Sequence, residues 1–494
     1  MKTLKSILVS AALVLLCSGP VMAQDFQTGY FLGGYQYGYR LNPAFQSEHS
    51  HAAILFGQTG LSVNSNLGVS NFLFVKDGTT CLFLNDKVSS QEFLGKLNKK
   101  ENNISETLNL NILSAGFWID RNFFNIDLNV KSNTSVTLPY DLFRFLKDGA
   151  SNGTEFNLGG TGVRSKEYIE LALGWSRNWN NFITGGARVK ALVGLVEAQA
   201  YMSSLNLTMG KDKWTIAAQG ALEASSPLLS LGTAEDGSYD FSKIGFSTAK
   251  IGPAGGGAAV DLGVNVNILP WLSASVSILD LGFMVWNREI TGTSPEAAYT
   301  WNPSAGEAID VMDQSSGNAM SGELDKMTDA LKNIYKFMPA QSKGSTAEMI
   351  PFRMNVGAEV RLPWYDRLSL GLLYSMRAGQ GFNWGEGRVS LNISPLDWLS
   401  LSGSTSFSDF FRSYGFALSL HPGVINFFIG TDVIPGSILP VNSFSDNLSS
   451  LPQIVGIPSK AKLNMNGYIG ISVAIGKRKV DYHRNIIETV PKEN

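Results

Sequence analysis

Apolar and polar residues alternate along residues 463–475 with an almost strict period of two. One face carries Leu463, Met465, Gly467, Ile469, Ile471 and Val473, and the other Asn464, Asn466, Gly470 and Ser472. This pattern predicts a strand with one apolar and one polar face. It recurs in segments of about ten residues or slightly more, joined by tight turns, which is typical of a transmembrane β-barrel.

Tight turns join these segments in pairs, which predicts hairpins. The turns lie at residues 120–122, 178–181, 269–271, 363–366, 395–398 and 421–423. Proline is excluded from central strands but suits such turns. Longer connections alternate with the turns at about 134–165, 225–253, 287–350 and 435–461. The alternation predicts periplasmic turns and extracellular loops. Helical spacing predicts short helices in these loops, as ornament or as a gate, at 140–147 and 322–338.

The first 23 residues have the features of a secretory signal peptide. Lys2 and Lys5 precede an apolar run at residues 7–16, and Val21-Met22-Ala23 provides a small-residue cleavage site. The run is too short to span a membrane as a helix. Removing the signal leaves Cys81 as the only cysteine, so no intrachain disulfide is expected.

Composition narrows the class of protein further. Without Lys2 and Lys5, 37 basic residues of the original 39 face 41 acidic ones, a net charge of −4 that indicates no nucleic-acid partner. Charged residues make up 16% of the chain, below the ~25% usual in soluble proteins. Low charge and many aromatic residues, without a later apolar run of about 18, favour a lipid-facing barrel over helical spans. A large soluble β-protein is the competing interpretation.

Alternation also assigns side chains to the two faces of the predicted wall. If the apolar residues of 354–372 face lipid, the charged residues of neighbouring parity face the lumen. The predicted lumenal polar wall comprises Arg353, Glu359, Arg361, Arg377, Glu386 and Arg388. We expect either a salt-bridge lattice that stiffens the lumen or a polar selectivity surface or plug contact. Five tryptophans beside the short turns are predicted to form a membrane-interface belt: Trp118, Trp175, Trp271, Trp364 and Trp398.

Residues 24–50 do not form a clean strand. Residues 29–45 are rich in glycine and tyrosine and lack a lipid-facing stripe. We predict that this stretch occupies the lumen or its periplasmic mouth as a plug, with Asn42-Pro43 fixing the bend into the first strand. Its tyrosines Tyr35, Tyr37 and Tyr39 would pack against the wall. A disordered export remnant is the competing interpretation.

Catalytic chemistry is not indicated. His49 and His51 share one face of an extended segment without a carboxylate-spaced partner, so no metal ligand set is expected. The chain has no GxSxG elbow, and Gly255-Gly256-Gly257 lacks the Lys-Ser/Thr of a phosphate loop. We expect no enzyme activity, cofactor or metal.

Several stretches resemble known barrel families. Leu41-Asn42-Pro43-Ala44 is similar to the Asn-Pro-Ala near the mature N-terminus of fatty-acid-transporter-type and type IX secretion-associated barrels. Four other stretches resemble an uncharacterised family of outer-membrane barrels found in Bacteroidetes: Gly185 to Lys190, Val260 to Gly263, Leu279 to Phe283 with Trp286, and Gly357 to Glu359. The resemblance covers essentially the whole mature chain. It implies about fourteen strands (twelve to sixteen allowed), and it brings no substrate or catalytic residues.

The predicted organisation is a signal peptide at 1–23, a plug-like segment at 24–50, an outer-membrane β-barrel at 51–476 and a charged periplasmic tail at 477–494. The predicted function is passive transport of small, probably apolar, molecules across the outer membrane. The alternative is a non-conducting structural or secretion-accessory barrel that binds surface or secretion proteins through its extracellular loops.

Overall fold

The computed structural model describes residues 26–476, except 78, 149–153, 210–213, 228, 247–251, 295–296, 302–335, 343, 380–383, 409–411, 435–437, 440–456 and 459–464. The predicted signal peptide and periplasmic tail lie outside these residues and remain predictions.

The chain forms a closed antiparallel barrel of fourteen strands, in which each strand pairs with the next one along the wall. The strands are β1 (Ser50–Ile54 and Thr59–Ser65), β2 (Glu101–Ile119), β3 (Asn122–Pro139), β4 (Gly162–Asn178), β5 (Ile183–Met209), β6 (Gly255–Leu269), β7 (Leu272–Trp286), β8 (Phe352–Leu362), β9 (Tyr365–Ala378), β10 (Trp384–Leu396), β11 (Leu399–Ser408), β12 (Arg412–Leu420), β13 (Ile425–Ile434) and β14 (Met465–Ile475). The predicted fold class is therefore confirmed.

The barrel closes where the first strand meets the last. Ala52 of β1 lies opposite Val473 of β14 on one side and Ala115 of β2 on the other. Closure matters because backbone groups in lipid must find partners within the protein. β1 is irregular at residues 55–58. The eight residues from Ala52 to Thr59 lie opposite only five residues, from Val473 to Ile469, so β1 bulges there.

The two faces of the wall follow the alternation in the sequence. On β14, Ile469 and Ile471 are 40% and 47% exposed on the outside, whereas Asn466 and Ser472 are buried inside. An apolar exterior lets the wall lie in lipid, and the polar residues must then find partners in the lumen.

Several strands extend beyond the predicted loop boundaries. β3 continues to Pro139 and β4 begins at Gly162, so part of the connection predicted at 134–165 is wall strand. β5 is unusually long because its first half pairs with β6 and its second half pairs with the separate strand Trp214–Ser225. Alternation predicted the faces of these strands but not where each strand leaves the wall.

The remaining strands and helices lie at the long-loop end of the barrel. The shorter strands are Leu73–Lys76, Thr79–Leu82, Thr154–Asn157, Leu229–Thr233, Tyr239–Phe246, Ile290–Thr293, Ala297–Trp301, Met338–Pro339, Thr346–Met349, Ile438–Leu439 and Ile457–Pro458. The α-helices are α1 (Val69–Phe72), α2 (Ser90–Leu94) and α3 (Tyr140–Asp148), and α3 matches the helix predicted at 140–147. The other predicted helix, 322–338, lies almost entirely outside the described residues.

No helix among the described residues has the length and apolar character needed to cross a membrane.

The facing of β9 yields a test with adjacent residues. Leu370 is 45% exposed on the outside, whereas Ser369 is 6% exposed and points into the lumen. An arginine directed at lipid near the membrane midplane costs ~2–4 kcal/mol, while a lumenal one can find polar partners. We expect Leu370→Arg to lower the folding yield far more than Ser369→Arg, measured by heat-modifiable migration. Equal yields would contradict the assigned facing.

Candidate functional site

The chain preceding β1 lies inside the barrel. Residues 26–47, here called the lumenal segment, pass through the lumen in successive tight turns, including the short 3-10 helices Gln27–Gly29 and Gly38–Arg40. The side chains of Phe26, Tyr37 and Tyr39 are at most 1% exposed. The segment thus forms part of the buried interior and contacts wall strands on several sides.

The start of the lumenal segment is held by an aromatic cluster and a carboxylate. The Phe26 ring lies 5.7 Å from that of Phe428 and 4.9 Å from that of Tyr468. The backbone amides of Gln27 and Thr28 donate to the Asp432 carboxylate at 3.0 and 2.6 Å. Hydrogen bonds from backbone amides to an ionised acceptor are stronger than neutral ones, so Asp432 fixes this end in position.

The other end of the segment fits against glycines of the wall. A side chain at Gly186 or Gly263 would collide with Pro43, so both positions accept only a residue without a Cβ atom. Asn355 Nδ2 donates to the backbone oxygen of Leu41 at 3.0 Å, and Ser277 Oγ donates to the same oxygen at 2.9 Å. The bend at Asn42-Pro43 is therefore seated directly on β5 and β6.

A cluster of buried charges lies beside the segment. Arg188 is paired with Asp127 and, at 3.4 Å, with Asp261. Lys190 lies 2.7 Å from the Asp261 carboxylate and 2.5 Å from that of Asp280. Each of these five side chains is at most 9% exposed. Buried charges are tolerated only when they are paired, so each residue depends on its neighbours.

The segment contacts this cluster through Tyr39, and Arg40 binds the neighbouring Asn129 of β3. Tyr39 Oη donates to Asp127 at 3.3 Å, and Arg40 Nη2 donates to Asn129 Oδ1 at 2.7 Å. Burial, followed by the charge of Asp127, raises the pKa of Tyr39 well above its usual value. The phenol therefore stays protonated and remains a hydrogen-bond donor to the carboxylate.

The six residues of the predicted polar wall all come from inward-facing positions, but they divide into three separate groups. Arg353 and Arg377 lie opposite each other on β8 and β9 toward the long-loop end, and Arg353 pairs with Asp280 at 2.9 Å. Glu359 and Arg361 pair with each other at 3.0 Å near the short-turn end.

The third group joins the wall to the lumenal segment. Arg388 pairs with Glu386 on its own strand, and its Nη1 donates to Thr28 Oγ1 at 3.0 Å. Arg388 also lies 3.7 Å from the Asp432 carboxylate that binds the start of the segment.

Of the five tryptophans predicted to form the interface belt, four face outward and one faces the lumen. Trp175, Trp271, Trp364 and Trp398 are 39–80% exposed near the short turns. Trp118 differs from the prediction because its ring points inward: Nε1 donates to the backbone oxygen of Ser47 at 2.9 Å, and the ring packs on Phe123. Parity alone would have excluded Trp118 from the belt, since it shares a face with the inward-facing Ser114 and Gly116.

Two cavities lie in the lumen, one toward each end. The long-loop cavity, of about 110 Å³, is lined by Gln58, Lys131, Tyr168, Arg353, Arg377 and Tyr468 among others. The short-turn cavity, of about 170 Å³, is lined by residues of the segment itself together with Trp118, Glu359 and Arg361. The lumenal segment contacts Tyr468 through Phe26 and Gln58 through Arg40. It therefore lies between the two cavities.

Sequence reasoning missed the strongest charge cluster. Arg188, Lys190, Asp261 and Asp280 lie in the stretches that carry the family resemblance, yet only their similarity to other barrels was noticed. Parity was the available signal for Arg188, Lys190 and Asp261, because each shares a face with polar or small residues. Asp280 has the parity of the outward-facing Val276 and turns inward only because the strand register shifts between Ile278 and Leu281. Among the described residues, no group of three or more His, Cys, Asp or Glu side chains could hold a metal ion.

The fold and the lumen define an outer-membrane-type barrel with its N-terminal chain inside. The chain belongs to the family of unknown function DUF5723, whose model matches residues 43–432. The matched range begins at Pro43, where the lumenal segment rests on the wall. A search of curated proteins found no match.

Solved structures with similar folds include three barrels. They are the toluene transporter TbuX of Ralstonia pickettii (8% identity, TM-score 0.42, 89% of this chain and 94% of that one), a FadL homologue of Pseudomonas aeruginosa (12%, 0.40, 92% and 99%) and the toluene transporter TodX of Pseudomonas putida (8%, 0.35, 92% and 94%).

Arg188 provides a test of the charge cluster. Arg188→Gln would leave Asp127 and Asp261 without that cation, and breaking a buried pair typically costs about 3–5 kcal/mol. We expect a loss of this order in the free energy of unfolding by urea in lipid vesicles. Arg367→Gln is the control, because the Arg367–Asp397 pair is exposed and should contribute less than about 1 kcal/mol. Equal losses would show that the cluster does not stabilise the barrel.

Proposed function

We propose that this protein is an outer-membrane barrel for the passive transport of small molecules, with the lumenal segment as a plug. The observation that supports this most directly is the position of the segment between the two cavities. A molecule crossing the lumen would have to pass the segment, so its displacement would control passage. The predicted export signal agrees with this location, and the proposal requires no catalytic group.

The irregular part of β1 supports an apolar cargo. Residues 55–58 interrupt the strand, and Ile54, Leu55 and Phe56 are 78%, 52% and 56% exposed on the outer face. Gln58, the last residue of the interruption, and Gly60, which follows it closely, line the long-loop cavity. An apolar surface beside a break in the wall is suited to molecules that partition into lipid.

The packing of the segment supports a plug that can move. The Tyr35 hydroxyl is buried without a hydrogen bond among the described residues, and so is the side-chain amide of Asn426 on the wall. A buried polar group without a partner costs about 1–3 kcal/mol. These unpartnered groups therefore offset part of the stability that the other contacts of the segment give to its position inside the lumen.

A second candidate function follows from the charge cluster. Arg188 and Lys190, with the carboxylates of Asp127, Asp261 and Asp280, occupy lumenal space next to the segment. A lumen filled in this way would suit a non-conducting scaffold whose loops bind secretion or surface proteins. Conductance of the purified protein separates the two functions.

Removing the plug tests the first proposal. Deleting residues 25–40 while keeping the signal should leave the barrel able to assemble and should raise its single-channel conductance in planar bilayers. Deleting residues 480–494 is the control and should leave conductance unchanged. Unchanged conductance in the first variant, with free protease cleavage of the segment in the intact barrel, would rule out a plug.

A reversible tether tests whether the segment must move. Thr28 Oγ1 and Ser404 Oγ lie 2.9 Å apart, close enough for cysteines at both positions to form a disulfide. In a Cys81→Ser background, Thr28→Cys with Ser404→Cys should lose flux of a small apolar probe on oxidation and regain it on reduction. The single variant Thr28→Cys, treated identically, should not respond. Equal flux in the oxidised and reduced double variant would show that this end stays in place during transport.

A further inference from the structure

The lining of the long-loop cavity carries an excess of positive charge. Five cationic side chains and two acidic ones line it: Lys131, Arg164, Lys166, Arg353 and Arg377 against Asp280 and Glu348. The wall encloses these groups in a narrow, poorly solvated space, where charges of one sign reinforce one another and attract counter-ions.

Most of these cations already have acidic partners. Lys131 pairs with Glu170 at 2.6 Å, and Arg353 pairs with Asp280 at 2.9 Å. Lys166 is paired with Glu348. The two acidic residues of the lining are therefore engaged by cations of the same lining.

Arg164 and Arg377 are different. Neither guanidinium makes a hydrogen bond or ion pair with a described residue, although both are partly buried and both line the cavity. Arg377 also lies directly across from Arg353, so two guanidinium groups come from adjacent strands. Guanidinium presents a fork of donors that matches a carboxylate, and unpaired charge in a confined space is costly.

An apolar surface completes the same cavity. Met284 and Trp286 are each 1% exposed and Ile350 is 8% exposed, and they belong to one packed cluster with Tyr168 at its edge. All four residues line the cavity. The cavity thus offers cations together with an apolar and aromatic surface.

We propose that the long-loop cavity is a binding site for a small organic anion. Its carboxylate would take hydrogen bonds from Arg377 and Arg164, and its apolar part would pack on Met284 and Ile350. If the protein transports small molecules as proposed above, the bound anion is its cargo, and the cargo carries a negative charge. The binding site itself does not depend on that proposed function. The cavity, of about 110 Å³, is similar in scale to the ~150 Å³ cavity known to hold benzene in another protein, so a single aromatic ring is a suitable probe.

Equilibrium binding to the full-length barrel in nanodiscs of zwitterionic lipid tests the site without requiring transport. The probes are benzoate and benzyl alcohol, which share the ring and differ in the charged group. We expect benzoate to bind at least about tenfold more tightly than benzyl alcohol, because charge-assisted hydrogen bonds are the stronger kind.

Substitutions of the cavity arginines test whether benzoate binds in the long-loop cavity. Arg377→Gln should weaken benzoate binding about tenfold or more and leave benzyl alcohol unchanged, whereas Arg377→Lys should retain part of the preference. Arg412→Gln, at an exposed arginine outside the cavity lining, should leave both affinities unchanged. If Arg377→Gln does not fold by heat-modifiable migration, Arg164→Gln provides the same comparison.

Equal affinity for the two probes, or benzoate binding that is insensitive to both arginine variants, would overturn the anion site. Flux of each probe into liposomes reports separately on the proposed function. Benzoate binding without flux would retain the site and refute transport, whereas benzyl alcohol flux without preferential benzoate binding would do the reverse.

Discussion

Closure of the sheet in lipid is the constraint on which the rest of this structure depends. Because backbone groups in the membrane must pair within the protein, β1 has to meet β14, and the wall acquires a single inside and a single outside. Period-two alternation then directs most polar residues of the spanning strands into one enclosed volume. The lumen has to satisfy these groups, since water and partners are limited there.

The protein satisfies them in two ways that depend on each other. Arg188 and Lys190 pair with carboxylates from three other strands, and the lumenal segment contributes Tyr39 and Arg40 to the same region. The stretches that carry the family resemblance supply four of the five clustered charges, all except Asp127, and the glycines on which Pro43 rests. Wall and segment therefore fit together as one packed interior, with a cavity on either side.

This arrangement places stability and proposed function in the same volume. The paired charges hold the wall and the segment in register, whereas Arg164 and Arg377 line the long-loop cavity without a partner among the described residues. Asp432, whose carboxylate binds the start of the segment, also lies near Arg388. Movement of the segment would therefore change the environment of charged groups on the wall.

The sequence by itself determined the barrel class, the facing of strands such as β9 and β14, the short turns and the helix at 140–147. These features are local, because period-two alternation and turn residues act between neighbours along the chain. Only the tertiary structure decided that Arg188 meets Asp127 and that Trp118 turns inward to Ser47. It also decided that the six charged wall residues form three groups. Such contacts depend on strand register and on which strands become neighbours around the closed wall, and residues 61 positions apart carry no mutual signal in a single sequence.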